Sequence, residues 1–353
     1  MILRAIGMAA LGCLLAFAPA RAQPTDIFFS GFQSERLQTF YLAEKLRLGA
    51  EDPVTRARLV QLLRQQGFTQ EWKAEGKPFA LSTSGFLFPV LEYDPNINGG
   101  FANDSFSLGG FTFTLDPELV GRAGFVAGAG AAGYLRALYG RGRFLDGTLR
   151  ASIGAAPAED GLQVRRIGGE LCSRNHVDDW KFVDLCGRYE RADRDLTEFE
   201  EVQGDLSGTH LFAVGDQRHE ARLTLRRVAG DAFGQTQAGG TLTSLWAPRF
   251  ATTIFGGVGA AVPGHMAMSR EARVAATTVL YDRPVQLSVG YQRANGGTFF
   301  GQAREEDIWS TSISVPINDD LAVSVGYQQT RSTVDLFARQ GPFLTLSLPR
   351  WRF

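Results

Sequence analysis

The sequence predicts an all-β fold, a transmembrane antiparallel β-barrel of about 14 strands, or about 16 if one segment is a hairpin, behind a short N-terminal helical hairpin. Three observations carry that prediction. From about residue 84 onward apolar and polar residues alternate with period two. Tight turns alternate with longer loops, and aromatic residues stand at strand ends in a chain that stops on Phe353.

Composition sets the outer limits. The 353 residues carry 36 Lys+Arg against 37 Asp+Glu, a net charge of -1. That excludes a polybasic nucleic-acid arm and a disordered acidic tail, so no nucleic-acid partner is expected. Gly (41) and Phe (26) are abundant, whereas Lys occurs only at Lys45, Lys73, Lys77 and Lys181, an unusual profile for a soluble enzyme. A helical membrane protein would need apolar runs of about 18 residues or more, and these are scarce.

Residues 1–22 read as a secretory signal peptide: Arg4, an apolar stretch from Ala5 to Ala18, and the small-x-small end Ala20-Arg21-Ala22. The rival reading, a lipidation box at Ala10-Leu11-Gly12-Cys13, would cut after about eight apolar residues and leave a second apolar stretch behind. Cleavage removes Cys13, so the exported chain keeps Cys172 and Cys186 in an oxidising compartment, where a disulfide is the natural reading. Closing a loop of about 15 residues stabilises by on the order of 3 kcal/mol in the chain-entropy model. Metal binding is the alternative, with His176 between the cysteines, but a fourth ligand is lacking.

From Ser34 to Gln66 the pattern is helical. Leu37, Phe40, Tyr41 and Leu48 form one stripe that Gly49 can terminate, and Asp52-Pro53 starts a second helix that carries Val54, Ala57, Val60 and Leu63 and ends at Gly67. The period then changes. In 285–291 Val285, Leu287, Val289 and Tyr291 face one way, and the pattern returns at 321–327; Trp309, Thr311, Ile313 and Val315 alternate with serines between them, as do Ala221, Leu223 and Leu225 with Arg222, Thr224 and Arg226 upstream.

A soluble sandwich would alternate in the same way. A membrane barrel is favoured by turns at Asp116-Pro117, Asp282-Arg283-Pro284 and Asn318-Asp319-Asp320 set against loops at 258–269, 294–306 and 332–342. It is favoured also by Tyr291, Tyr327, Trp246 and Trp351 at girdle positions. Trp351 and terminal Phe353 resemble the signal that outer-membrane barrels present to their insertion machinery. Leu344, Leu346 and Leu348 share one face, however, and Trp351 and Phe353 the other, so a bulge at Pro349 is needed to bring both sets outward. The strand count turns on 195–215, one long strand or a hairpin near Gly204-Asp205. The same register puts Cys172 and Cys186 on polar-facing sides of adjacent strands, expected to flank an outer loop.

Several motifs suggest other chemistry. Gly128-Ala-Gly130-Ala-Ala-Gly133 matches the dinucleotide fingerprint, but the following 134–139 is under two helical turns, too short to seat a pyrophosphate. Small residues in a bending strand explain it better. Asp94-x-Asn96-x-Asn98-Gly99 opens like a calcium loop, yet Ser105 stands where the closing Glu belongs, so a turn is favoured. The uncharged run 250–269 contains Pro263 and four glycines, which suits a strand and loop rather than a helix. His176, His210, His219 and His265 are candidate catalytic bases, with Ser207 before His210 and Asp216 before His219, but no spacing marks a nucleophile and no enzyme activity is expected. Asp184, Arg188, Arg222 and Arg226 are candidate lumen-lining residues; the arginines either favour anions or are cancelled by facing carboxylates.

Two stretches carry a family resemblance. Pro89-Val-Leu-Glu-Tyr93-Asp94-Pro-Asn96-Ile-Asn98-Gly-Gly resembles the lead-in to the first barrel strand of the surface lipoprotein assembly modifier family. The end, from 324–327 through 331–337 to 346–353, is similar to that family's last hairpin. The resemblance covers roughly 84–353 and implies an outer-membrane barrel that helps lipoproteins or related cargo reach the cell surface. Members of that family also carry a periplasmic array of tetratricopeptide helices; this chain offers one hairpin, and stable arrays need at least about three repeats. The expected organisation is a signal peptide (1–22), a periplasmic helical segment (23–83) and a barrel (84–353). The expected partners are outer-membrane lipids, the insertion machinery and lipoprotein cargo, with no cofactor. The alternative function is a pore for passive or selective passage of small solutes.

Overall fold

The computed structural model describes residues 34–49, 52–108, 110–230, 233–247, 249–281, 283–317, 322–347 and 351–352. The expected signal peptide, Cys13, the turn 318–320, Pro349 and Phe353 lie outside them. Helices α1 (Glu35–Arg47), α2 (Pro53–Gln65) and α3 (Glu71–Ala74) come first. The Ser34 hydroxyl accepts from the Leu37 N–H to cap α1, Asp52 caps α2 ahead of Pro53, and Gly49 and Gly67 follow the helices at φ +89° and +75°, a backbone state that favours glycine.

The first barrel strand is β1 (Ala80–Asp94), which starts four residues before the expected boundary. A small hairpin, β2 (Ser105–Leu108) and β3 (Phe111–Thr114), stands in the connection to β4 (Gly124–Gly140). The wall continues through β5 (Arg143–Ala156), β6 (Leu162–Asp178), β7 (Lys181–Asp193), β8 (Glu198–Val214), β9 (Gln217–Gly230), β10 (Gly234–Ala247) and β11 (Phe250–Gly259). Next come β12 (Ala267–Leu280), β13 (Arg283–Phe299), β14 (Gln302–Pro316), β15 (Ala322–Ser332), β16 (Arg339–Ser347) and β17 (Trp351–Arg352). From β4 to β16 each strand pairs antiparallel with the next, β4 pairs also with β1, and β1 closes the cylinder on β16 and β17, two halves of one interrupted strand, giving fourteen strands, while β2 and β3 pair only with each other. Closure gives the backbone polar groups along each strand a partner, which is what lets strands cross lipid.

The register at the seam explains the phase problem of the last strand. Val90 pairs with Ser347 and Leu87 with Trp351, so three steps along β1 match four along its partner. The register therefore differs by one residue between the two halves of the last strand; the expected bulge at Pro349 falls outside the described residues. Leu344, Leu346 and Trp351 consequently pair with Tyr93, Leu91 and Leu87, one face of β1. That face is outward: Leu149, Leu185, Leu223, Ile254 and Val274 on the matching parity of other strands are all exposed, Leu223 at 74%. In water so much exposed aliphatic surface would be a liability; in a bilayer it is the solvated face.

The two ends differ. At the helical end the connections are short, as at 141–142, 179–180 and 215–216, and β1 begins there; the opposite end carries 95–123, 260–266 and 333–338. Short turns mark the periplasmic side of such barrels. Of the two readings left open for 195–215 the single long strand holds, as β8 (Glu198–Val214), and the count of fourteen follows. Three expectations change. The loop expected at 294–306 is mostly strand, because β13 absorbs Asn295 and Gly296 in a register shift and runs on to Phe299. Asp116-Pro117 starts a 3-10 turn within the long first connection and is not a tight strand-to-strand turn. The turn between β6 and β7, near the cysteines, lies at the helical end and not at an outer loop, because strand parity from β1 puts it there.

Candidate functional site: the barrel lumen

Inward positions follow from the ladder. The register aligns Asp184 with Ser207, Cys186 with Asp205 and Arg188 with Gln203, and in turn Asp205 with Arg226 and Thr209 with Arg222. Asp184, Arg188, Arg222 and Arg226 therefore share the face opposite the exposed aliphatics. They border one cavity of about 220 Å³, which connects them to Glu170, Asp205 and Glu271. Each arginine meets an acid: Arg188–Glu170 at 2.6 Å, Arg226–Asp205 at 2.7 Å and Arg222–Glu220 at 3.3 Å. Arg174 reaches Asp146 (3.3 Å) and Asp184 (3.7 Å), and Arg136 reaches Asp146 at 2.9 Å. The sequence reading missed Arg136, Asp146, Glu170 and Arg174. A signal was present for Glu170 and Arg174, four residues apart on β6, and for Asp146, four before Arg150 on β5, a spacing that stacks charges on one face, whereas Arg136 stands as the one charge of β4 and carried none.

The mouth at the helical end holds α1. Its 13 residues, about 20 Å long, cross the opening against inward residues of the wall. Leu37 and Phe40 pack on Phe182 and Leu211, and Tyr41 joins Leu245 and Ala251. Burial there raises the Tyr41 phenol above its ordinary pKa, with Arg218 acting in the opposite direction. The strongest tie is polar: Arg36 donates two hydrogen bonds, 2.7 and 2.8 Å, to the two oxygens of Asp184, with side chains only 7% and 2% exposed. Glu35 pairs with Arg136 at 3.1 Å, and the Ser34 hydroxyl donates to Glu220. Gln66, just past α2, donates to Thr39 on α1 and so locks the second helix onto the first.

Further along the lumen two larger cavities open, about 820 Å³ and 880 Å³. The first has Phe86, Phe88 and Tyr134 on one wall and the Arg150–Glu190 pair (2.9 Å) on another. The second, toward the long-loop end, is bordered by the motif that resembled a calcium loop. Asp94 instead receives the Asn96 N–H (2.8 Å) in a local turn and pairs with Arg194 (3.0 Å) and Arg166 (3.5 Å). Asn98, almost wholly buried, donates to the Val120 carbonyl and accepts from the Arg122 N–H. Tyr93 lies on the outward face, its ring edge-on to Phe125. Two guanidiniums on Asp94 occupy the place a cation would need, and among the described residues no His/Cys/Asp/Glu group could hold a metal.

Cys172 and Cys186 are directly opposed on β6 and β7 and form a disulfide. Replacing both with alanine should lower the stability of the folded barrel by on the order of 3 kcal/mol, seen as an earlier urea midpoint in vesicles without loss of the native register. Ser207 and His210 do not meet as a catalytic pair would need. Ser207 is inward and His210 outward, on opposite faces of β8; His219 bonds Ser244 (2.9 Å), and His176 bonds the Asp179 carbonyl (2.7 Å).

No family model and no curated protein matches the chain. It is similar to the crystal structures of Acinetobacter baumannii OccAB3 (7% identity, covering 77% of this chain and 100% of that one, TM-score 0.40) and Pseudomonas aeruginosa OpdK with vanillate (10%, 77% and 98%, 0.41). It is similar also to a BenF-like porin from Pseudomonas fluorescens Pf-5 (8%, 78% and 99%, 0.38). The expectation of a lipoprotein-translocating barrel is corrected: no family model matches the chain, so the assembly-modifier resemblance has no support there. The helical segment gives the physical reason, because it folds into the mouth instead of presenting an array to cargo.

Proposed function

We propose that the chain is an outer-membrane pore for small solutes, closed or narrowed at its periplasmic mouth by α1 and without catalytic activity. The observation that carries this reading is the lumen itself, a series of cavities between inward arginine–carboxylate pairs, with one amphipathic helix seated across one end. Outer-membrane lipids would bathe the outward aliphatic face.

Paired charges leave little net field along the wall, so the open pore should discriminate weakly between small cations and anions. Asp205→Asn frees Arg226 from its partner and should shift the reversal potential in a potassium chloride gradient toward anion selectivity, by roughly threefold or more in permeability ratio. Planar-bilayer recording of the purified protein measures both conductance and selectivity. Stepwise currents are expected, larger once α1 is loosened. A barrel silent both intact and with the helix released would remove the pore reading.

A further inference from the structure

The outward face carries a feature that the lumen does not explain. On β12, β13, β14 and β15 the register lines up Arg270, Arg293, Asp307 and Arg331 as direct neighbours. These are outward positions, in parity with exposed Val274, Val289, Ile313 and Val325. Two arginines directly opposed across a strand pair repel each other. Arg293 is answered by Glu305 at 2.5 Å, and the Asp307 carboxylate is turned back toward the Tyr291 hydroxyl, 2.6 Å away. Arg270 has only the Tyr291 ring, 5.8 Å from its guanidinium, and among the described residues neither Arg270 nor Arg331 has an acidic partner. Both are exposed.

Depth gives the charges a meaning. Tyr291, Trp309 and Tyr327 face outward on the same strands, Tyr291 and Trp309 in ring contact at 4.7 Å, and such aromatics sit at the headgroup level. Arg293 lies two residues beyond Tyr291 on the long-loop side, about 7 Å further along the strand. That is the level of lipid phosphates in the outer leaflet. Arg270 and Arg331 stand three strand spacings apart, roughly 14 Å. A single phosphate cannot reach across that gap, whereas a headgroup with phosphates at both ends of a disaccharide can.

From this placement we infer that the outward arginines of β12–β15 bind a phosphorylated glycolipid of the outer leaflet through two separate phosphates, Arg270 holding one and Arg331 the other. Guanidinium forks suit phosphate oxygens, and an anion between Arg270 and Arg293 relieves their repulsion.

The test is native mass spectrometry of the full protein in detergent, with bisphosphorylated lipid A, its monophosphorylated form, phosphatidylglycerol and phosphatidylcholine as probes. Bisphosphorylated lipid A should stay bound most strongly and lose at least tenfold in affinity in R270Q/R331Q. Arg191→Gln removes an outward arginine that already has Asp193 and Glu198 as partners, and it should change nothing. Heat-dependent gel migration of each variant shows that the barrel is intact. Retention of lipid A by the double variant, equal retention of phosphatidylglycerol, or displacement by millimolar inorganic phosphate would each overturn the assignment, the last by showing an ion site in place of a lipid site.

Discussion

Arg36→Ala is expected to raise the open fraction of the pore by two orders of magnitude or more. The guanidinium meets Asp184 through two short hydrogen bonds in a nearly dry setting and lies 4.1 Å above the Phe182 ring. Removing one partner of a buried pair costs about 3–5 kcal/mol, because the other charge is left without compensation. Asp184 would keep only Arg174, at 3.7 Å. Against this, Leu37 and Phe40 each contribute about 1.5–3 kcal/mol of burial to the docking of α1. The polar tie is thus comparable to the apolar contacts together, and its loss shifts the docking equilibrium by roughly a hundredfold or more at 1.4 kcal/mol per decade. Asp184→Asn placed on top of Arg36→Ala should restore part of the closure, since the uncompensated charge is then gone. Single-channel recording of the four members of this cycle gives the coupling directly. If Arg36→Ala conducts like the parent, α1 does not obstruct the lumen.

The fold was legible because its signal is local. A strand such as 285–291 announces its two faces within seven residues, and the lipid-facing side is the apolar one wherever it recurs. The helix stops were legible for the same reason, since Gly49 and Gly67 occupy backbone states that other residues resist. What escaped the sequence was non-local or disguised. Arg36 and Asp184 are 148 residues apart, and nothing near Ser34 says that the helix is to cross a lumen. Asn295-Gly296-Gly297 looked like a loop, yet the strand takes it up as an irregularity and turns later, at Phe300-Gly301, where Phe300 adopts φ +47°, a backbone state that bulky residues seldom announce, ahead of Gly301 at +81°. The cysteines were put at the wrong end of the cylinder because their end depends on the parity of the whole strand count, which no local pattern displays.

Gly128→Val should prevent the barrel from reaching its folded form, whereas Gly133→Val should leave it intact. The two glycines belong to one motif, so a nucleotide-binding reading would make them equally sensitive. Strand geometry makes them opposite. A Cβ on Gly128 would lie 2.0 Å from the Ile153 carbonyl oxygen and 2.5 Å from the Gly154 Cα, both backbone atoms of β5 held by their own ladder. A Cβ on Gly133 meets nothing within 4 Å on the lipid-facing side, where an extra aliphatic group is solvated by acyl chains. Overpacking usually costs about 1–3 kcal/mol when side chains can yield, and more when the obstacle is backbone. The loss therefore falls on the β4–β5 ladder, one of the pairings that the closed cylinder needs. Heat-dependent gel migration after refolding into vesicles distinguishes the two, with Gly128→Val trapped as the unfolded band and Gly133→Val migrating as the parent. Equal behaviour of the two variants would mean that the chain in this segment is not the paired strand on which the whole cylinder depends.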